Sequence, residues 1–312
     1  MPILGGKVGT RFLTTFFPAP PRTMDGGAYR DRSKLEALFG PNFWQVIQNR
    51  VVVDFGCGMG AESAEMARRG AARVYGLDIQ ERLLAIARQS WQLPNLSFGG
   101  IVPEAADIII CVDSFEHFAN PEQILSDISS MLKPEGEVWV SFGPTWYHPL
   151  GGHLFSVFPW AHLLFSESSL CAWRKNFRSD GANRFCEVDG GLNQMTIQRF
   201  IRIVQSSSLT LEKLELVPIR RLKWMHNRLT REFLTATVRC RLIHRRTHAA
   251  GPLPVGNREN VPNSHCGPHL SSTTNTSPRQ SVPTVQAAAP EVLPKLPIQS
   301  EPNMKNLPSC DT

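Results

Sequence analysis

Val51-Val52-Val53-Asp54-Phe55-Gly56-Cys57-Gly58-Met59-Gly60 is the stretch on which the fold of this 312-residue chain turns. Three β-branched residues in a row read as a buried strand, and three alternate glycines then open a helix over residues 60–69. Glycine suits that turn because a ligand can approach a backbone that carries no Cβ. Further on, the strand Arg73-Val74-Tyr75-Gly76-Leu77 ends in Asp78, an acid placed to accept hydrogen bonds from a ribose diol. Strand, glycine loop, helix and acid-ended strand together describe a nucleoside-binding βαβ unit.

The alternation continues outward from this unit. Strands are predicted near 51–55, 73–78, 96–98, 106–112 and 136–142, and helices near 60–69, 81–90 and 121–132. Short lead-in helices precede them at 32–38 and 43–48. Asn120 before Pro121 marks a helix start, and Pro134 with Gly136 marks the stop. The fold class is α/β, a doubly wound, mostly parallel sheet. From Gly143 to Gly191 the alternation gives way to a stretch rich in Trp, His, Phe and Pro. An insertion there lies at the carboxyl edge of the sheet, so 143–191 is expected to be a substrate cap. A helix at 194–206 and strands at 209–217 and 234–242 bring the sheet to seven strands. The segment 219–231 reads as helical, with Leu222, Met225 and Leu229 at apolar spacing.

These boundaries give an arm and lead-in helices at 1–44, the main domain at 45–248, and a tail at 249–312. The tail holds eleven prolines and no Phe, Tyr or Trp, so disorder is expected there. Lys7, Arg11 and the run 12–19 have the flavour of a leader. The apolar part is short and broken by threonines, and a mobile arm is expected instead. No apolar run approaches the ~18 residues of a membrane span. Seven cysteines without a C-x-x-C pair point to reduced thiols and a cytoplasmic protein. The net charge of +6 is local: residues 219–248 hold nine Lys and Arg against Glu232 alone. That segment invites a nucleic-acid or anionic-membrane reading. Without zinc-finger, RNA-recognition or KH patterns, a solvated charged edge is the preferred one.

Gly56, Gly58 and Ala61 also satisfy the dinucleotide pattern G-x-G-x-x-A. Asp54, directly before the loop, would attract a cationic aminoacyl group and repel a pyrophosphate. Four stretches resemble class I S-adenosylmethionine-dependent methyltransferases, in particular the type 11 small-molecule subgroup that includes ubiquinone-type O-methyltransferases. They are Asp54–Gly60, Gly76–Ile79, Ala106–His117 and Leu132–Val138, within about residues 45–245. The resemblance implies S-adenosylmethionine as cofactor, held by Asp54, Gly56, Gly58, Gly60, Asp78, Ile79 and Asp113. It also implies an antiparallel last strand.

For a hydroxyl acceptor, a base or a metal must take the proton. Glu116, His117 and His153 are the candidate catalytic residues. Their pattern is similar to the acid-x-x-acid-His…His arrangement that holds a divalent metal in ubiquinone-type and small-RNA methyltransferases, with His148 or His162 as substitutes for His153. A histidine base without metal is the preferred reading. The expected activity is methyl transfer to a small-molecule acceptor, most readily at oxygen. The alternatives are a non-catalytic protein binding S-adenosylmethionine or S-adenosylhomocysteine, and an NAD-dependent oxidoreductase. Trp146, Tyr147, Phe155, Phe158, Trp160 and Phe165 could line the acceptor site, pack a cap core or rest on a membrane surface. Two departures stand out: no acid follows the third strand to read adenine, leaving Glu104 or backbone amides, and Glu135 replaces a turn glycine. The sequence is silent on oligomeric state.

Overall fold

The computed structural model describes residues 3–18, 32–188 and 190–245. The tail expected at 249–312 lies outside the described residues. Three helices lead in: α1 (Gly6–Phe16), α2 (Lys34–Phe39) and α3 (Phe43–Val46). The core then alternates β1 (Val51–Phe55), α4 (Ala61–Arg68), β2 (Arg73–Leu77), α5 (Glu81–Ser90), β3 (Leu96–Phe98), β4 (Ala106–Val112), α6 (Pro121–Met131) and β5 (Leu132–Phe142). The inserted stretch carries α7 (Ala161–Leu164) and α8 (Glu167–Arg174). After it come α9 (Ile197–Ser206), β6 (Leu209–Pro218), α10 (Arg231–Leu234) and β7 (Thr235–His244).

Side chains set several of the helix starts. The Ser33 hydroxyl accepts the Glu36 amide at α2, and the Asn120 side chain accepts the Gln123 amide at α6, where Pro121 occupies the first turn. Ser166 and Thr196 cap α8 and α9 in the same way.

One seven-stranded sheet runs β3-β2-β1-β4-β5-β7-β6. The first five strands pair in parallel, and β7 is antiparallel to both β5 and β6. The sheet is therefore doubly wound and mostly parallel, as the strand alternation required. Alternate residues of the central strands face opposite ways. Val53, Ile109, Val138 and Val140 pack with Leu125 and Ile128 of α6 and Phe200 of α9. Val52, Ile108 and Ile110 pack with Leu35, Phe43, Trp44 and Met66 on the other face. With both faces covered, β1 and β4 are apolar apart from Asp54 and Asp107, and their ends can carry function.

Three local expectations change. The residues read as a mobile arm form α1, which lies along α8: Leu13 is fully buried and Leu4 bridges to Phe165. Leu13 and Phe17 join Phe155, Phe165 and Trp173 in one apolar cluster, a tertiary partner that no local pattern could announce. The segment 219–231 is not one amphipathic helix. It is a 3₁₀ turn (Arg220–Met225) kinked at Leu222, then a tight turn into α10. The Ile219 amide donates to the Leu234 carbonyl at 2.8 Å and closes the loop before a longer helix can form. Finally, β5 starts directly after α6: Leu132 pairs with Ala106 before a bulge, while Lys133 ties to Asp107 at 2.8 Å.

If α1 is an integral part of the cap, Leu13→Ala should destabilise the protein by about 2–5 kcal/mol, the range for emptying a buried leucine site. Thermal unfolding measures this, and an unchanged melting temperature would return α1 to the status of a loose arm.

Candidate active site

The glycine loop is fixed from the β2 side. The amides of Gly56 and Cys57 donate to the Leu77 carbonyl at 2.8 and 2.9 Å, and the Gly58 amide donates to Asp78 Oδ2 at 2.8 Å. Gly58 has φ +54 with open space where a Cβ would stand. Gly60 has φ +77 and lies against the Phe98 ring, so a Cβ there would collide with it. The first leaves room for a ligand, and the second lets α4 start hard against β3. Asp78 Oδ1 accepts the Gln80 amide at 2.8 Å, and Ile79 beside it is 98% exposed. An acid at the strand end, a bare turn and an exposed apolar side chain are thus grouped at the carboxyl edge of the sheet.

Asp54 behaves differently from its expectation. It is 2% exposed, and its Oδ2 accepts the Ser63 hydroxyl at 2.5 Å, fastening the first turn of α4 to β1. Burial, with the Glu62 and Asp78 charges, raises its pKa to about 7 against the opposing effects of Ser63 and Lys34. The direct meeting with a cationic aminoacyl group is not available to it in this conformation. The carboxylates that reach the surface there are Asp113 and Glu62. Both are held by Lys34 of α2, whose Nζ lies 3.0 Å from Asp113 and 3.4 Å from Glu62. Burial pulls the Lys34 pKa down, but the two acids outweigh it and the net shift is upward. Asp113 adopts φ +49, a left-handed conformation that an L residue holds only when its surroundings enforce it. Its amide bond to the Ser141 carbonyl at 2.8 Å is part of that enforcement.

The second half of the site is built by the loop after β4, a 3₁₀ turn at Phe115–His117. Glu116 is buried, and its Oε1 accepts the Gly143 amide at 3.2 Å, clamping this loop to the end of β5. Burial first, then the Asp113 charge, raises its pKa to about 8, so it is a protonated acid at neutral pH. Asn193 braces the same loop by donating to the carbonyls of Phe115 and Phe118 at 2.8 and 2.9 Å. His117 Nδ1 lies 2.7 Å from the Gly191 carbonyl. A carbonyl only accepts, so Nδ1 carries a proton, and in the neutral ring Nε2 is the acceptor. A cavity of about 210 Å³ opens beside His117, lined also by Arg184, Cys186, Asn193 and Arg199.

His153 comes to His117 as expected, with ring centroids 5.2 Å apart and edge-on. Its Nε2 is buried without a partner among the described residues, and burial lowers its pKa to about 4. The proposed substitutes are occupied elsewhere. His148 Nδ1 accepts the Leu150 amide, and His162 bonds to Trp146 and Ser156. Among the described residues, no group of three or more His, Cys, Asp and Glu side chains is arranged to hold a metal ion. The acid-x-x-acid-His…His set is therefore not assembled as a ligand cage in this conformation.

Glu104 does not read adenine. It accepts from Tyr75 at 2.9 Å and pairs with Arg73 at 2.8 Å, at the opposite, amino edge of the sheet. Lys34, Phe98, Asn193, Arg184 and Arg199 are site residues that the sequence reading missed. All reach the site through tertiary folding from outside the motifs. The aromatic run is mostly cap core: Phe155, Phe165 and the partly buried Trp146 and Phe158 pack together with Leu13.

A family model described as a methyltransferase domain matches residues 53–140. The ubiquinone biosynthesis O-methyltransferase of Neisseria meningitidis is 32% identical over 106 residues, covering 30% of this chain and 44% of its own. That of an Azoarcus species is 32% identical over 128 residues, 38% of this chain and 53% of its own. The chain thus spans about half the length of the curated relatives it matches. Among solved structures, an S-adenosylmethionine-dependent methyltransferase from Mesorhizobium loti is 14% identical, covers 63% of this chain and 91% of its own, and superposes with a TM-score of 0.42. The matched segment carries β1 with its glycine loop, Asp78 and the β4 loop. Over residues 53–140 the chain thus carries a methyltransferase domain, the stretch that its resemblance to class I S-adenosylmethionine-dependent methyltransferases rests on.

Glu116 supplies a pH test. The folded protein retains a proton that the unfolded chain releases, so this group destabilises progressively as pH rises from 4.5 to about 8. His148 and His153, held neutral by burial with pKa values lowered to about 4, act the other way as pH falls below 6.5. Glu116→Gln removes only the first effect. Its melting temperature should track wild type near pH ~5 and exceed it near pH ~9. A difference that does not grow with pH would mean that the carboxyl is ionised in the folded state.

Proposed function

We propose that this protein transfers a methyl group from S-adenosylmethionine to a hydroxyl of a small-molecule acceptor. The observation that carries the reading is that one sheet edge holds both a glycine turn bonded to Asp78 and a tautomer-fixed His117 beside a cavity. Gly56, Gly58 and Gly60 form the cradle, Asp78 takes the ribose and Ile79 covers the base. Asp113 and Glu62, with Lys34, receive the charged aminoacyl end, and Asp54 acts from beneath by fixing α4. Bound there, the cofactor supplies a methyl group activated by a positively charged sulfur.

This chain's own contribution is alignment and deprotonation. Holding two reactants in one geometry removes much of the entropic barrier. His117 Nε2 takes the acceptor's proton, and the Gly191 carbonyl bond keeps the ring in the tautomer that can do so. His153 packs edge-on against that ring, and Glu116 and Asn193 position the loop that carries it. The ubiquinone biosynthesis O-methyltransferases matched over part of their length support oxygen as the methylated atom. The five described cysteines are free thiols, which supports a reducing, cytoplasmic setting.

The purified full chain should be stabilised against heat by S-adenosylhomocysteine and should transfer labelled methyl groups to members of a phenol and catechol panel. His117→Ala should lower kcat by about 10²–10⁴-fold, the usual contribution of a general base, while the stabilisation persists. Stabilisation by NAD and not by S-adenosylhomocysteine would overturn the class of reaction. An unaltered kcat in the variant would remove His117 as the base.

A further inference from the structure

The loop between β6 and β7 exposes side chains that a freely solvated edge has no use for. Trp224 is 82% exposed and Leu229 is 89% exposed, with Met225 and Phe233 partly exposed beside them in sequence. Arg220, Arg221, Lys223 and Arg228 are exposed on the same segment. The ion pairs of this region belong to Arg239 and Arg241 on β7, with Glu215, Glu137 and Glu212. Among the described residues, the loop cations have no carboxylate partner. The one acid of the segment, Glu232, is turned inward and accepts the amides of Ile197 and Gln198 at 3.1 and 2.8 Å.

The loop is also preformed. Its base is closed between Ile219 and Leu234, and its tip is a tight turn in which the Asn227 side chain accepts the Leu229 amide at 2.9 Å. His226 bonds to Thr235 at 2.9 Å and holds the turn to β7. Leu229 is thus presented outward by fixed backbone. Because β6 and β5 both run antiparallel to β7, the loop after Pro218 leaves the sheet at the carboxyl edge, the edge of the glycine loop and His117. Phe233 lies 5.4 Å from the Tyr147 ring in the inserted stretch, joining the loop to the cap.

We propose that residues 219–233 dock this protein on an anionic phospholipid bilayer. Exposed aromatic and aliphatic side chains on the same loop as cations without a carboxylate partner match a lipid interface, where the apolar groups enter the acyl boundary and the cations meet phosphate. A nucleic-acid strand would use Trp224 for stacking but would gain nothing from Leu229 or Met225. An acidic protein surface would satisfy the arginines and leave the apolar side chains in water. Charge and apolarity together select the bilayer, and docking this way sets the site's edge of the sheet toward the membrane.

Co-sedimentation of the full chain with vesicles tests this directly. It should bind an equal mixture of phosphatidylcholine and phosphatidylglycerol, release in high salt, and ignore pure phosphatidylcholine. Exchanging Arg220 and Arg221 for glutamine should weaken binding about thirtyfold, at roughly tenfold per 1.4 kcal/mol and about 1 kcal/mol per cation. Brominated acyl chains should quench part of the tryptophan emission, and Trp224→Phe should abolish that part. All three substitutions are at exposed positions, so an unchanged melting temperature confirms folded variants. Absence of vesicle binding, binding indifferent to these substitutions, or tighter binding to single-stranded RNA than to the vesicles would each overturn the proposal.

Discussion

The 2.8 Å bond from the Gly58 amide to Asp78 joins the ends of two neighbouring strands, and the rest of the site is arranged around it. A buried parallel sheet leaves its strand ends as the places where polar backbone must find partners. Here the β1 loop spends its amides on Leu77 and Asp78, which fixes the left-handed turn that keeps the loop bare of side chains. Moving Asp78 would free that turn. The same carboxylate that a ribose would use is therefore also part of the scaffold that shapes its own surroundings.

Two acids are kept under the floor of the site. Asp54 and Glu116 are almost wholly buried, and burial is the main reason the pKa of each is raised. Each spends its carboxyl group on one structural bond, Asp54 on Ser63 and Glu116 on Gly143. This places the loops after β1, β4 and β5 in fixed relation and leaves the surface charge to Asp113, Glu62 and Lys34. The arrangement separates two tasks: the buried acids fix the loops, and the more exposed Asp113 and Glu62 share Lys34 at the surface.

Whatever depended on short-range periodicity could be read from the sequence. Val51–Phe55, Ala106–Val112 and the cap at Asn120 follow local rules, and the acid-ended β2 strand follows from a pattern with a physical purpose. The site was half legible. The glycines and Asp78 came from motif and spacing, and the pairing of His117 with His153 from the family resemblance, which left His148 and His162 open as substitutes. Three things required the fold. Asp54 turned inward because Ser63 is one helical turn into α4, a neighbour in space that a strand-end reading ignores. Glu104 went to Arg73 because the β3–β4 connection returns to the amino edge of the sheet. The 3.6-residue spacing of Leu222, Met225 and Leu229 imitated a helix face, yet a loop closed at Ile219 and Leu234 has no core to offer it.

The packing of α1 on α8 has a consequence for biosynthesis. Gly6 and Ser169, which share a hydrogen bond, lie 163 residues apart. At translation rates of roughly 5–20 residues per second, the earlier partner waits about 8–30 seconds for the later one to emerge. Throughout that interval Leu13 and Phe17 belong to a nascent chain without their docking surface, while β1 to β5 can already condense behind them. α1 therefore completes its packing only after β1 to β5 have been made, and holdase chaperones would find exposed apolar surface there in the meantime.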